Sequence, residues 1–271
     1  MSITIHSRAL EYINKHLSDS GHHHTKHHSH SKHDHHHNYH KHESKKLATI
    51  TYQKAKNVVD KLFCDFESAN LEDVSNIVND LSVMIVNNNA TFKSMSEIMS
   101  YDYYTHTHSV NVGIYAMCFG KYVNLLRHDI EKLGLAGLLH DLGKISIERD
   151  IINKDSGLTP VELDEINSHP NIGSRLAIDF GVIDTDVLDA IRLHHEKIDG
   201  SGYPNALKND DIPYFAKIIC VCDIFDALTT KRSYKDSLKS MQALLIMKND
   251  EMFKGKLDKT VLDNFIRMLG S

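Results

Sequence analysis

The sequence has no long apolar run and no strong excess of charge of one sign. No segment approaches the roughly 18–20 apolar residues that a membrane helix needs, and the first residues lack the apolar core of a signal peptide. The 271 residues carry a formal net charge of −5, which provides no basic field for nucleic-acid polymers or anionic membranes. We therefore predict a cytoplasmic protein that binds neither of them and holds any anionic ligand through local charges.

Cysteine and strand signals are also scarce. The four cysteines, Cys64, Cys118, Cys220 and Cys222, form neither a disulfide framework nor a spaced zinc-binding pair. We interpret all four as small buried apolar side chains. Alternating β-branched residues flanked by Asn-Gly turns are missing, whereas apolar residues recur at helical spacing along most of the chain. The sequence predicts an all-α protein.

Four regions follow one another along the chain. Residues 1–20 predict a short amphipathic helix, and residues 21–45 form a low-complexity linker rich in histidine. Residues 46–95 predict a helical hairpin, which we interpret as a regulatory region or an interface for homodimerisation. The last region, 96–271, is long enough to form the main helical domain with its own core.

The histidine-rich linker holds 12 of the 21 histidines, all between His22 and His42. One hypothesis is a solvated spacer. The other is a low-affinity store for extra Zn, Ni, Cu or Fe ions, because neutral imidazole binds all of them. The sequence leaves both open. Four further histidines lie among polar neighbours and are predicted at the surface: His6, His16, His106 and His128.

Five histidines remain at predicted helix ends or on apolar helical faces: His108, His140, His169, His194 and His195. An unpaired imidazole is costly there. Asp141 follows directly after one of them, Asp223 lies on an otherwise apolar helix, and Lys144 can point back into the same cavity. Five imidazoles and two carboxylates without a thiolate suit two divalent ions, Fe or Mn. Two adjacent ions generate hydroxide and brace phosphate oxygens, which indicates a phosphodiesterase or phosphatase.

Five sequence motifs carry a family resemblance. HDLGK at residues 140–144 and HHEKIDGSGYP at residues 194–204 occur in one order with YTHTHSVNV, SHPNIG and VCDIFDALTTKRSYK between about residues 98 and 270. With these motifs the chain resembles the HD-GYP group of HD-domain phosphohydrolases, which cleave cyclic di-GMP. The resemblance implies an HD-domain helical bundle for residues 96–271. It also implies that a hydroxide between two metal ions opens cyclic di-GMP to pGpG, with GMP as a further product.

The resemblance implies residue roles as well. The metal ligands would be His108, His140, Asp141, His169, His194, His195 and Asp223, with Asp141 between the ions. Asp141 and Lys144 would be catalytic. Substrate contacts would come from Lys144, Gly202, Tyr203, Asp226, Arg232 and Lys235. Two positions depart from the family pattern: Tyr104 stands where members with three metals have glutamate, which argues against a third ion, and Ser233 replaces a proline beside Arg232.

Three alternatives stay open. The same site could act on another cyclic dinucleotide or a nucleotide, or the chain could be a cyclic di-GMP sensor with little turnover. The third alternative is a di-iron centre that activates oxygen. The GYP loop and the basic RSYK segment argue against it, because phosphate clamps have no role in that chemistry. In all of these cases we expect Glu196 and Asp199 to brace the turn that precedes Tyr203 rather than to bind metal.

Overall fold

The computed structural model describes residues 35–87, 99, 105–154, 156–230, 240–250 and 252–270, with side chains from residue 45 onward except at 105 and 106. Within these ranges the chain is built from helices without a strand, and one isolated bridge pairs Asp199 with Lys208. The predicted all-α fold is confirmed. None of the helices described in these ranges has the length and apolar character needed to cross a bilayer. Several predictions lie outside the described residues, namely those on residues 1–20, the first part of the histidine-rich linker, Tyr104, Arg232, Ser233 and Lys235.

The N-terminal hairpin consists of α1 (His35–Cys64), a 3₁₀ turn (Phe66–Ser68) and α2 (Leu71–Asn87). Asn70 caps α2, because its Oδ1 accepts a hydrogen bond from the backbone N–H of Asp73 at 2.8 Å. The apolar stripes of the hairpin face the core. Val58 and Phe66 are partly buried, and the other members are buried, namely Ala55, Val59, Leu62, Val74, Ile77, Val78, Leu81 and Ile85.

The first helix begins earlier than the sequence predicts. The predicted linker extends to residue 45, but α1 already begins at His35. No glycine or proline interrupts this stretch, and histidine is compatible with a helix, so the helix that carries the apolar stripe continues toward the N-terminus. The end of the histidine-rich segment is therefore part of α1.

The main region contains the remaining elements. They are α3 (Thr105–Tyr122), α4 (Arg127–Leu139), a 3₁₀ turn (Leu142–Ser146), α5 (Arg149–Ile152), α6 (Pro160–Asn167), α7 (His169–Asp179), α8 (Thr185–Leu193), a 3₁₀ turn (Asn209–Asp211), α9 (Tyr214–Thr229), α10 (Ser240–Asn249) and α11 (Lys259–Leu269). A capping box begins α6, since Thr159 and Glu162 each accept a hydrogen bond from the other's backbone N–H.

Two glycines allow α3 and α4 to pack closely. A Cβ on Gly137 would lie 2.5 Å from Cα of Gly113, and a Cβ on Gly113 would lie 2.3 Å from Cδ1 of Leu138. Residues with a side chain do not fit at this separation. The close contact brings the first turns of α3 next to the end of α4, where the ring centroids of His108 and His140 are 5.1 Å apart.

The cysteine prediction holds for three residues and is wrong for the fourth. Cys118, Cys220 and Cys222 are buried, whereas Cys64 is exposed. Cys64 is the last residue of α1 and follows the last buried position of the apolar stripe, Leu62. A helix end of this kind faces the turn to the next helix rather than the core.

Candidate metal centre

Five helices bring the predicted ligand residues together in the interior of the main region. They contribute His108 from α3, His140 and Asp141 from the end of α4, His169 from the start of α7, His194 and His195 from the end of α8, and Asp223 from α9. All are buried except Asp223, whose side chain is 13% exposed. Buried imidazoles and carboxylates at this density need each other, protons or cations for compensation.

The HDLGK segment forms a bend instead of a longer helix. Apolar residues at helical spacing continue as far as Leu142, but α4 ends at Leu139 and His140 is its C-cap. Asp141 follows with φ −95° and ψ 6°, in the bridge region where many active-site residues lie. The chain then continues in the 3₁₀ turn.

Contact with α7 explains this bend. A Cβ on Gly143 would lie 2.0 Å from the carbonyl oxygen of His169, so the turn passes directly against the first residue of α7. The bend directs Lys144 back toward the centre, as predicted. Its Nζ donates a hydrogen bond to Oδ2 of Asp141 at 2.6 Å.

Three of the predicted ligand histidines are oriented by their local main chain. Nδ1 of His140, His169 and His194 lies 2.7 Å from the backbone carbonyl oxygen three residues earlier, which belongs to Gly137, Ile166 and Ile191 respectively. A carbonyl oxygen can only accept a hydrogen bond, so Nδ1 carries the proton in each ring. In its neutral form such a ring presents an Nε2 lone pair, and Nε2 is the nitrogen that faces the centre.

A side chain orients His108 instead. Its Nδ1 lies 2.7 Å from Oδ2 of Asp226, whose Oδ1 accepts a hydrogen bond from Nδ2 of Asn111 at 2.9 Å. A carboxylate behind an imidazole is the usual support of a metal-binding histidine. Nε2 of His108 then lies 3.0 Å from Oδ1 of Asp223. Asp226 is 1% exposed and orients His108, and the substrate contact predicted for it stays a prediction.

The potential ligand atoms form two groups. The first group contains Asp141, His169, His194 and His195, and the second group contains His108, His140 and Asp223. Within each group the atoms lie within 4.8 Å of one another. Together the groups contain all seven residues that the sequence predicts as ligands.

Asp141 faces both groups. Its Oδ1 lies 3.3 Å from Nε2 of His169 in the first group, and its Oδ2 lies 3.5 Å from Nε2 of His140 in the second. Asp223 has a similar placement, because its Oδ1 faces the second group and its Oδ2 lies 3.9 Å from Nδ1 of His195. The sequence predicts one carboxylate between the groups, and the structure places two there.

The donor atoms fit divalent ions. Nε2 of His140 and Oδ1 of Asp141 are buried without a hydrogen-bond partner in the part of the chain that the structure describes. Nε2 of His169 lies 3.4 Å from Nε2 of His194. When both rings are neutral with the proton on Nδ1, their Nε2 lone pairs face each other. A cation bound between these two nitrogens makes that arrangement favourable. Imidazole nitrogen and carboxylate oxygen are ligands for first-row metal ions, so these residues can hold metal.

The protonation states also suit metal binding. Burial lowers the pKa of His140, His194 and His195, so these rings are neutral at pH 7. His108 differs: burial lowers its pKa, but hydrogen bonds to two carboxylates outweigh burial and raise the pKa to about 10. Metal binding at His108 must therefore displace a proton, whereas the other three rings are ready to bind.

Both central carboxyl groups are ionised. Burial raises the pKa of Asp141, but the nearby Lys144 amine and the surrounding imidazoles outweigh burial and hold the pKa well below its usual range. Burial has the same effect on the pKa of Asp223, and the hydrogen bond from His108 outweighs it, so that this pKa is also lowered. Ionised carboxylates are the form that binds a cation.

A family comparison identifies the architecture. The sequence profile described as HD domain matches residues 74–261. This chain belongs to the HD-domain family. The protein Bd1817 from Bdellovibrio bacteriovorus, described as an HDG"Y"P protein, has the same fold, with a TM-score of 0.65 and 19% identity over 83% of this chain and 72% of that chain. The predicted HD-domain family and helical fold are therefore confirmed.

Curated relatives match parts of this HD-domain chain. The cyclic di-GMP phosphodiesterase PA4108 of Pseudomonas aeruginosa is 31% identical over 231 residues, which cover 84% of this chain and 55% of that protein. The 3'3'-cGAMP-specific phosphodiesterase 3 of Vibrio cholerae is 31% identical over 147 residues, which cover 54% of this chain and 32% of that protein. The chain thus spans about half or less of the length of these relatives.

Two acids close the HHEKIDGSGYP loop of the HD domain. Glu196 accepts hydrogen bonds from the backbone N–H groups of Asn205 at 2.7 Å and Leu207 at 2.9 Å. Asp199 accepts from the backbone N–H and the hydroxyl of Ser201. Both acids brace the turn as predicted, and neither belongs to a ligand group.

The same loop places an aromatic ring against the centre. A Cβ on Gly202 would lie 2.3 Å from the backbone nitrogen of Lys197, so glycine is required for this close return of the chain. The ring of Tyr203 stacks on His195 with centroids 4.7 Å apart. Its hydroxyl is buried and has no hydrogen-bond partner among the described residues. Burial, together with the two central carboxylates, raises the pKa of Tyr203 well above its usual range, so the phenol keeps its proton.

Two residues behind His108 were missed by sequence reasoning. Asn111 lies one helical turn after His108, and the hydroxyl of Tyr52 on α1 donates a hydrogen bond to Oδ1 of Asn111 at 2.8 Å. The three-residue spacing places Asn111 on the face of α3 that carries His108, which is a usable signal. No local pattern points to Tyr52, because it lies 59 positions from its partner.

Proposed function

We propose that this chain is a metal-dependent phosphodiesterase that hydrolyses cyclic di-GMP to pGpG, with GMP as the product of a second cleavage. One observation carries the proposal: two buried His/Asp groups lie side by side, and Asp141 faces both. The names of the two relatives, both phosphodiesterases for cyclic dinucleotides, support the substrate class.

Two divalent ions, iron or manganese, are the proposed cofactors. Five imidazoles and two carboxylates in two groups offer one group for each ion. When bound, such ions lower the pKa of a coordinated water and neutralise charge on a phosphate. A third ion is not part of the proposal, because Tyr104 stands where the family pattern for three metals has glutamate.

Lys144 is the proposed catalytic cation of the chain itself. Its Nζ contacts Asp141, and its side chain is 17% exposed, so the amine lies at the solvent edge of the centre. From this position it can donate a hydrogen bond to a non-bridging phosphate oxygen and stabilise charge that develops there. The role of Asp141 is to hold both ligand groups in one arrangement.

Tyr203 and its loop are the proposed contact with the nucleotide. The phenol keeps its proton and can donate a hydrogen bond to the phosphodiester, while Gly202 allows the loop to approach closely. Arg232 and Lys235 are proposed from the sequence as phosphate contacts, since a guanidinium and an amine three positions apart can hold phosphate oxygens.

Another cyclic dinucleotide is the second candidate substrate. The Vibrio cholerae relative is named for 3'3'-cGAMP, so the substrate test must include it. A cyclic di-GMP sensor with little turnover is the non-enzymatic alternative, and the same experiment separates it from an enzyme.

The test is product formation by the full chain. The protein is purified without oxygen, loaded with Fe(II) or Mn(II), and incubated with cyclic di-GMP or 3'3'-cGAMP, and the products are separated by chromatography. Asp141→Ala is the inactive control, and Asp164→Ala, at an exposed acid on α6, is the matched active control. Turnover of 3'3'-cGAMP alone would reassign the substrate. Bound ions and bound nucleotide without any product would overturn the enzyme proposal in favour of the sensor.

The remaining partners are proposals as well. The hairpin is our candidate for a homodimer interface, because α1 and α2 expose Leu47, Ile50 and Val83 beside a cavity of about 310 Å³. Light scattering on the full chain measures the mass in solution. Extra metal ions on the histidine-rich linker and a cytoplasmic location stay predictions from the sequence.

A further inference from the structure

We infer that Tyr52 on α1 is a positioning residue for the metal centre, acting on His108 through Asn111 and Asp226. The inference rests on the proposed function, because it takes His108 as a metal ligand. It adds a residue outside positions 74–261, the part of the chain that matches the HD-domain profile. The N-terminal hairpin would thereby set the geometry of one ligand group.

An unbroken chain of hydrogen bonds leads from Tyr52 to the centre. The Tyr52 hydroxyl donates to Oδ1 of Asn111 at 2.8 Å, and Nδ2 of Asn111 donates to Oδ1 of Asp226 at 2.9 Å. Oδ2 of Asp226 lies 2.7 Å from Nδ1 of His108. The exposed fractions are 5% for Tyr52, 1% for Asn111, 1% for Asp226 and 3% for His108. Water therefore does not compete for these bonds.

The direction of each hydrogen bond in this series follows from the groups that form it. A carboxylate can only accept, so the amide nitrogen of Asn111 must face Asp226 and its oxygen must face Tyr52. The phenol then donates to that oxygen, which keeps the amide from turning over. With Asp226 held in this way, Nδ1 of His108 carries the proton and Nε2 is left for the ion. Each hydrogen bond polarises the next one in a buried chain.

Three other predicted ligand histidines are oriented without Tyr52. Nδ1 of His140, His169 and His194 is bound by a carbonyl oxygen three residues earlier. Movement of α1 would leave those three contacts intact and would change the support of His108 alone. A shift of Tyr52 would therefore be transmitted through Asn111 and Asp226 to His108, which belongs to the second group.

Tyr52→Phe is the decisive variant, because it removes the hydroxyl and keeps the ring. We expect the affinity of the second group for Co(II) or Mn(II) to fall roughly three- to tenfold, less than the loss caused by removing a direct support of the ligand. The first group should keep its affinity. The kcat should fall with the occupancy of the second group, while KM stays within about twofold, since Tyr52 is remote from the substrate loop. Visible absorption of bound Co(II), followed during titration, reports ligand geometry independently of turnover.

Two further variants test whether the effect travels along the chain of bonds. Tyr214→Phe, at an exposed tyrosine on α9, is the matched control and should leave affinity and spectrum unchanged. Asn111→Leu should weaken the second group at least as much as Tyr52→Phe. Adding Tyr52→Phe to Asn111→Leu should then have no further effect, because the connection is already broken.

The outcomes separate this inference from the function on which it rests. If the unsubstituted chain binds two ions and Tyr52→Phe leaves affinities, Co(II) spectrum and kcat unchanged, the positioning role is overturned and the phosphodiesterase stands. A fully additive double variant would overturn the route through Asn111. If the unsubstituted chain binds no ion, the proposed function itself fails, and the premise fails with it.

Discussion

His194 and His108 show opposite ways of fixing an imidazole. His194, at the end of α8, donates its Nδ1 proton to the carbonyl of Ile191 within the same helix. His108, on α3, depends on Asp226 from α9, which lies 118 positions away in sequence. The first arrangement forms whenever the helix forms. The second exists only when several helices have packed correctly.

This difference divides the candidate centre into two sides. We call the first group, with His169 and His194, the self-contained side, and the second group, with His108, the dependent side. His169 and His194 keep their orientation as long as their local main chain is intact. His108 also has the raised pKa, so it must give up a proton before it binds an ion. We therefore expect the two ligand groups to respond differently to substitution, and each prediction below targets one side or both.

The largest effect is expected for Asp141→Ala, which removes the carboxylate that both sides share. Loss of a central ligand should lower kcat by about 10³-fold or more, because neither ion would be held in its working position. Elemental analysis after dialysis should find less than one ion per chain. Retention of two ions with normal turnover would show that the two sides do not depend on Asp141.

Asp226→Asn should affect the dependent side alone. Removing the negative charge behind His108 makes this imidazole a weaker ligand. The substitution also disturbs the hydrogen bond that Asn111 donates to residue 226. We expect the ion affinity of the second group to fall about 10- to 100-fold, as is typical for the support of a metal ligand. Titration against a competing chelator resolves the two affinities. An equal loss in both groups would contradict the division into two sides.

Gly143→Ala should disturb the self-contained side through its main chain. The added Cβ would lie 2.0 Å from the His169 carbonyl oxygen, so the turn or α7 must move. We expect a loss of about 1–3 kcal/mol in the free energy of unfolding, as for overpacking elsewhere. Denaturant unfolding measures it. Gly157→Ala is the matched control, since a Cβ at Gly157 meets no atom within 4 Å, and a similar loss there would contradict the argument.

The smallest effect is expected for Glu162→Gln in the capping box of α6, the helix that precedes His169. Hydrogen bonds from Lys154 and from the Thr159 backbone lower the pKa of Glu162 from 4.5 to about 2. A lowered pKa stabilises the folded state above pH 4.5, and this contribution is lost as the pH falls toward 2. Thermal unfolding from pH 6 to pH 3 should therefore show the unsubstituted chain to be more stable than the Glu162→Gln variant, by a margin that shrinks with acid. A constant difference across this range would exclude the carboxylate as its source.

The sequence was sufficient for the local features and insufficient for the distant ones. Histidines at helix ends, the HDLGK and GYP motifs and the bracing acids all depend on neighbours within about a dozen residues, and the structure brings the seven predicted ligands together. The fold class follows from helical periodicity. The support that Asp226 gives His108 was not predicted, because the two residues meet only through helix packing. The roles assigned to Arg232 and Lys235 stay predictions.

The glycine contact between α3 and α4 determines the distance between His108 and His140 in the second group. A methyl group at Gly137 would push the helices apart by on the order of 1 Å, because it would meet the backbone of Gly113, which cannot yield as a side chain can. His108 would move with α3 while His140 stayed on α4. The donor atoms of the second group would then lose their short mutual distances, while those of the first group would keep theirs. The spacing of the second group is thus set by two residues that have no side chain.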